Sequence, residues 1–473
     1  MSGVAHTDPG SRRDVLPRAL GGDDAAPCAR FPTSFLWGAA TAGHQVEGEN
    51  RASDWFEYEE EGRLPHRSGS ACRQHELYAA DFDLARLGGH NAHRLSIEWS
   101  RIEPTPGGWS AEGLEHYRRV VSALRERGLE PIVTLHHFTN PAWFTRRGGW
   151  RRGDSPTRFA RYVKRVVDAL GDHVRYWVTI NEPMVFAKHG YIVGDWPPCV
   201  SGSWIQAARV LLNLARGHEA AYRVIHEKAP DAQVGFAHSA PIFEPCDPDR
   251  RVDRIATRLR DGAWNDAFFH LLAVAQRMSG RKQGADRGLD FIGINYYTRS
   301  IVRGRRPRRT SRPEGHRRSR LSTLFGEECT EDHHARGPWS DLGWEIYPRG
   351  LERTLIRFAG LGRPLLVTEN GLATRDEALR TAFVTEHLHA LCRTVERGIP
   401  VLGYLYWSLI DNYEWAHGRE PRFGLVEVDY STQRRIPRPA YHAYAAWCRA
   451  CGARPDEVLV DVRTGAHERT RGP

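Results

Sequence analysis

The chain has 473 residues, 40% of them hydrophobic, enough for one large barrel or two to three average domains with a sizeable core. No run of about 18 apolar residues occurs, which argues against a membrane-spanning helix. The net charge of +9 is carried by 63 arginines and only four lysines (Lys164, Lys188, Lys228 and Lys282), a bias of the whole sequence rather than the mark of a polyanion partner. The eight cysteines are scattered, and Cys448 and Cys451 form a lone C-x-x-C with no second pair and no histidine at ligand spacing. Neither a metal nor another cofactor is expected, and a reduced, cytoplasmic setting fits best.

Residues 1–29 read as a disordered tail. Within it Ser11-Arg12-Arg13-Asp14-Val15-Leu16 resembles a twin-arginine export motif. Pro17, Arg18, Asp23 and Asp24 interrupt the apolar stretch that a working signal needs. From residue 30 to 452 strand-like apolar runs alternate with helical patterns. The runs are Phe35 to Ala40, Ala92 to Ile97, Pro131 to His136, Arg175 to Asn181, Gln233 to His238, Phe291 to Asn295, Leu365 to Glu369 and Val401 to Trp407. Between them, residues such as Ala111 to Arg127 and Pro156 to Leu170 repeat their apolar positions at three and four, as amphipathic helices do. Eight strands alternating with helices predict an α/β fold, a single (β/α)8 TIM barrel with inserted βα loops, followed by a tail over 453–473. A doubly wound sheet is disfavoured because no Gly-rich phosphate turn follows the first strand.

Active sites of this fold lie at the carboxyl ends of the strands. The polar residues of the runs gather there: Arg94 and Glu98, His136 and His137, Asn181 and Glu182, Asn295 and Tyr297, Glu369, and Trp407. Glu182, in Thr179-Ile180-Asn181-Glu182-Pro183, closes the fourth run, and Glu369, in Thr368-Glu369-Asn370-Gly371, closes the seventh. Three strands apart on an eight-membered ring, the two can face each other across the mouth. A facing pair of carboxyls is what glycosidic cleavage requires, one protonating the leaving oxygen and the other attacking or stabilising an oxocarbenium-like centre. A nucleophile needs a cation and hydrogen-bond donors, which Arg94, Asn295 and Tyr297 are placed to supply; an acid needs a drier site near a negative charge.

These runs resemble the glycoside hydrolase family 1 β-glycosidases from Phe31 to about Cys448. The collinear matches include Phe31-Pro32, Phe35-Leu36-Trp37-Gly38-Ala39-Ala40-Thr41, Gln45-Val46-Glu47-Gly48, Arg94-Leu95-Ser96-Ile97-Glu98-Trp99-Ser100-Arg101 and Thr134-Leu135-His136-His137. They continue through both glutamate motifs, Asp290 to Tyr297, Tyr406 to Trp415 and Arg422-Phe423-Gly424-Leu425. The resemblance implies a retaining exo-β-glycosidase acting on neutral β-glycosides or short oligosaccharides, with Glu182 as acid/base and Glu369 as nucleophile. It further implies that Gln45, His137, Asn181, Glu414 and Trp415 grip sugar hydroxyls, that Trp407 lies beneath the ring, and that Arg94 and Tyr297 hold Glu369. Two departures from the family pattern, His44 before Gln45 and Thr139-Asn140-Pro141 after His137, bear on the rim of the aglycone side.

Two other readings are weaker. A catalytically silent sugar-binding relative would have lost one of the carboxylates, and both are present. A nucleic-acid-associated protein would use the basic stretch 303–320, but that stretch lacks interleaved aromatics for base stacking and reads as a solvated insertion. No nucleic-acid or membrane partner is therefore expected, and the sequence carries no sign of oligomeric state.

Overall fold

A computed structural model describes residues 31–280, 288–304, 327–329 and 337–451. The two tails, the Arg12-Arg13 motif and most of the basic stretch 303–320 lie outside the described residues. Eight parallel strands close into a barrel in sequential order. They are β1 (Leu36–Ala40), β2 (Ala92–Ser96), β3 (Glu130–Thr134), β4 (Tyr176–Asn181), β5 (Gln233–Ser239), β6 (Ile292–Asn295), β7 (Leu365–Asn370) and β8 (Val401–Trp407). Closure comes from β1 and β8, paired from Leu36 with Gly403 to Ala40 with Trp407.

The strands read as continuous apolar runs because both of their faces are buried. Leu36, Ala40, Ala92, Ile132, Val178, Ala237, Leu366, Leu405 and Trp407 meet in one cluster fed by seven strands, the lumen. Their alternate neighbours Trp37, Ala39, Leu95, Val133, Trp177, Val367, Tyr404 and Tyr406 belong to a second cluster, against the helices. Those helices are α1 (Gln74–Leu87), α2 (Ala111–Glu126), α3 (Ser155–Leu170), α4 (Trp204–Lys228), α5 (Ala267–Met278), α6 (Pro348–Ala359), α7 (Glu377–Glu396) and α8 (Pro439–Cys451). In α3 the buried stripe is Phe159, Tyr162, Val163, Val166, Val167 and Leu170, the spacing of an inward-facing helix. Ser110 starts α2 and Asp376 starts α7, each side chain accepting from a backbone N–H three residues on, at 2.9 Å in both cases.

Period two carries Arg94 and Thr134 into the lumen, two residues above Ala92 and Ile132, so polar groups begin where the apolar plug ends. Register breaks lie between Val178 and Asn181 on β4 and between Val367 and Glu369 on β7. Bulges of this kind re-aim side chains next to active sites, and both of these immediately precede or include a glutamate of interest.

The expectation of reduced thiols needs one correction. Outside the barrel, Ile242–Pro245, Arg299–Arg303 and Glu327–Glu328 form a three-stranded sheet. That sheet brings Cys246 and Cys329 to a Cα separation of 5.9 Å, where they form a disulfide. Among the described residues no helix is long and apolar enough to cross a membrane.

Candidate active site

Glu369, the last residue but one of β7, has a donor on each oxygen. Arg94 Nη1 donates to Oε1 at 2.5 Å and the Tyr297 hydroxyl donates to Oε2 at 2.6 Å. Burial and the charge of Glu369 hold the Tyr297 hydroxyl well above its ordinary pKa, so it keeps the proton that it donates. Arg94 is fully buried, and its other nitrogens are spent on Thr134 Oγ1 at 2.9 Å and Asn181 Oδ1 at 2.7 Å. One guanidinium thus fixes the ends of β3, β4 and β7 relative to β2.

Glu182 follows β4 in the left-handed region, at φ 43° and ψ 62°. A side chain with a Cβ pays for that conformation with strain, and such strain collects at functional sites. The backbone is nonetheless tied down, Glu182 N donating to Ala237 O at 2.8 Å and Phe186 N to Glu182 O at 3.1 Å. Burial above all, and next the negative charge of Glu369, push the Glu182 carboxyl far up from its ordinary value. Asn295 Nδ2 donates to Glu182 Oε1 at 2.9 Å and opposes that rise.

The placement of Asn295 corrects its sequence reading as a support for Glu369. Its amide serves Glu182 and Asn181, while its carbonyl accepts from Thr368 Oγ1 at 2.6 Å. The reason lies in the sheet: Asn295 is in register with Glu369 on the neighbouring strand, and Thr368 holds its carbonyl so that the amide faces β4.

The remaining predicted residues join the same network. Asn181 Oδ1 accepts from both Arg94 and Asn295, so its Nδ2 is the donor toward His137 Nε2 at 3.3 Å. Burial and the Arg94 charge keep His137 neutral. Its proton is therefore on Nδ1, a buried atom with no protein partner. The His137 ring lies parallel to Trp407 at 5.8 Å and to Trp415 at 6.1 Å. Gln45 Nε2 donates to Tyr413 O at 2.9 Å and to Glu414 Oε2 at 3.3 Å, which leaves Gln45 Oε1 buried and unpaired. Burial, and then the charge of Glu369, push Glu414 up to about 8. All eleven predicted residues are thus brought into one mouth.

Two residues picked by position at the strand ends have other tasks. Glu98 accepts from Asn50 at 2.7 Å and Thr139 at 2.6 Å, tying the β1 and β3 loops together. His136 turns to Asn140 at 3.1 Å. The family departures also sit inside rather than at the rim: His44 pairs with Glu59 at 3.2 Å and stacks on Trp415 at 5.8 Å, beneath the site floor. Sequence reading missed Thr134 and Thr368, which orient Arg94 and Asn295, and Asn412, which meets Gln45. Thr134 was accessible from period two counted from Ile132. Asn412 was not, because its loop position has no period.

Residues 28–452 match the profile described as glycosyl hydrolase family 1. The chain belongs to this family. A "Beta-galactosidase" of Pyrococcus woesei is 31% identical over 86% of this chain and 94% of its own length. "Beta-glucosidase A" of Thermotoga maritima is 30% identical over 88% and 97%. Among solved structures, a β-glycosidase from Pyrococcus horikoshii superposes with a TM-score of 0.80 at 38% identity, covering 90% of this chain and 96% of that one. The closed eight-stranded barrel is the fold that these family 1 structures share, and the chain is a glycosidase of that fold.

Proposed function

We propose that this glycosidase is a retaining, β-glucosidase-like exo-enzyme that removes the terminal non-reducing neutral β-D-glycosyl residue through a covalent glycosyl-enzyme. The observation that carries the reading is the divided electrostatics of one carboxyl pair. Glu369 faces a guanidinium and a phenol, the surroundings of a nucleophile, whereas Glu182 is dry, faces Glu369 and holds its proton, as a general acid must. Once Glu369 is glycosylated its charge disappears, the pKa of Glu182 falls, and Glu182 becomes the base that activates water.

The sugar contacts follow from unsatisfied atoms. His137 Nδ1–H and Gln45 Oε1 are a buried donor and a buried acceptor that ring hydroxyls would complete. Asn181 serves the 2-hydroxyl, Glu414 the 4- and 6-hydroxyls, Trp415 adds its indole edge and Trp407 underlies the ring. A cytoplasmic setting belongs to the same proposal; the Cys246–Cys329 bond is the feature it must accommodate.

Proton NMR of the first sugar released from a β-glycoside tests the core of the reading. The β-anomer is expected first, with α appearing only by mutarotation. Early α-anomer would require Glu369 to act as a base toward water and would overturn the nucleophile assignment.

A further inference from the structure

Two departures from the family pattern, His44 and Thr139, meet at one buried carboxyl group. The backbone N–H of His44 donates to Glu98 Oε1 at 3.0 Å, and Thr139 Oγ1 donates to Glu98 Oε2 at 2.6 Å. The His44 side chain is wholly buried, so any influence on the sugar passes through its neighbours. Its ring nonetheless extends the array of rings at the sugar site. His44 lies within 7° of parallel to Trp415, Trp415 within 15° of His137, and His137 within 16° of Trp407. Trp415 also holds the left-handed region, at φ 51°. A residue with a Cβ keeps that conformation only where its surroundings enforce it. The His44 ring on one side, and Trp55 at 4.7 Å and Trp196 at 5.7 Å, supply those surroundings.

The orientation of His44 is fixed at both ring nitrogens. The Asn50 amide nitrogen donates to Glu98 Oε2 at 2.7 Å, and the Asn50 carbonyl accepts from Ser100 Oγ at 2.7 Å. That amide nitrogen therefore faces His44 Nδ1, 3.4 Å away, as a donor. His44 Nε2 is left to carry the proton toward Glu59 Oε1 at 3.2 Å. Burial works against a charge on Glu59, but the contacts from His44 and from Ser68 N and Oγ outweigh it and hold the carboxyl below its ordinary value. A turn of the ring breaks a bond at each nitrogen. The next residue of the same short helix (Gly43–Val46) is Gln45, whose Nε2 donates to Glu414 Oε2 at 3.3 Å. Successive residues of one helical turn thus support both members of Glu414-Trp415.

Resting on the glycosidase reading above, we propose that His44, locked by Glu59 and Asn50, is a positioning residue that sets Glu414-Trp415 and so governs how strictly the enzyme selects the 4-hydroxyl of the sugar. Asn181, assigned there to the 2-hydroxyl, is held by Arg94 and Asn295 and lies outside this influence.

The test reads kcat/KM on p-nitrophenyl β-glucoside and its 2-deoxy and 4-deoxy forms, whose intrinsic reactivities cancel between variants. His44→Ala removes the ring. In Glu59→Gln the amide must turn an N–H toward either Ser68 N–H or His44 Nε2–H, so the lock fails at unchanged volume. Both variants should lower the glucoside-to-4-deoxyglucoside ratio about tenfold, the size of one hydrogen bond, and leave the glucoside-to-2-deoxyglucoside ratio unchanged. His44→Phe, which returns a ring against Trp415, should recover part of the lost ratio. Glu59→Gln decides the matter if His44→Ala does not fold. Equal losses on all three substrates would make His44 merely structural and overturn the inference, as would a 4-deoxy ratio that neither variant moves. A wild type indifferent to the 4-hydroxyl would strike the proposed sugar contacts and the inference with them, and failure on 2,4-dinitrophenyl β-glucoside would strike the glycosidase reading itself.

Discussion

At Glu182 two influences act against each other. Burial and the charge of Glu369 raise its pKa, and the Asn295 hydrogen bond lowers it. Asn295→Ala removes the opposing contact, so the carboxyl should hold its proton to higher pH, and the alkaline limb of the kcat/KM profile should move upward. If the acidic limb moves instead, Asn295 acts on Glu369 and the placement of its amide is wrong. The two glutamates should also fail differently. Glu369→Gly should abolish turnover of every β-glycoside. Glu182→Ala should lose about 10²–10⁴-fold on substrates with poor leaving groups, the usual size of acid catalysis. Dinitrophenyl glycosides, which leave without a proton, should still load that variant and stall, and azide should restore turnover by yielding a β-glycosyl azide. Identical behaviour of the two variants on activated substrates, with no response to azide, would reverse the assignment of roles.

Between elements, the tightest constraint at the site is where β7 meets β8. A Cβ placed on Gly371 would lie 1.7 Å from the carbonyl oxygen of Trp407, so the ends of the two strands touch backbone to backbone. Gly371→Ala must push Trp407 and Glu369 apart. Overpacking of this kind costs about 1–3 kcal/mol, and a displacement of about 1 Å at a reacting group costs roughly 10²-fold in rate. Calorimetry and kcat/KM should therefore fall together; an unchanged midpoint with full activity would mean that the strand ends part freely. The eight strands were legible in the sequence because both faces of each are buried, which leaves unbroken apolar runs. The glutamates were legible because they end two such runs. The bulges before Glu182 and at Glu369 were not, since a register break exists only relative to a partner strand. For the same reason Asn295 was assigned to Glu369: the sequence puts it at the right height in the barrel but does not say which neighbour its amide faces. The Cys246–Cys329 bond was hidden too, because it depends on a small sheet that joins segments 83 residues apart.

For the molecule as a whole, charge acts through buried groups more than through the surplus of +9. Glu182 and Glu414 keep protons in the folded state that they lose on unfolding. Their contribution is complete below the ordinary value of 4.5 and is lost as pH rises, for Glu414 through about 8. Each such proton gives a slope of about 1.4 kcal/mol per pH unit. Urea midpoints between pH 5 and 8 should thus fall less steeply in Glu414→Gln than in the wild type, and equal slopes would show that Glu414 ionises freely. The same titration governs substrate charge. If Glu414 faces the 6-position as proposed, a 6-phosphate would meet a neutral carboxyl at pH 6 but a carboxylate at pH 9. Two charges a few ångströms apart repel by about 1–4 kcal/mol between the dielectric of water and that of a protein surface. Discrimination in favour of p-nitrophenyl β-glucoside over its 6-phosphate should therefore widen as pH rises through about 8. Ionisation of Glu182 slows both substrates alike and cancels in the ratio of their kcat/KM values. A ratio that stays flat across that range would remove Glu414 from the 6-position, and faster turnover of the phosphate at every pH would show that the overall positive charge outweighs the local acid.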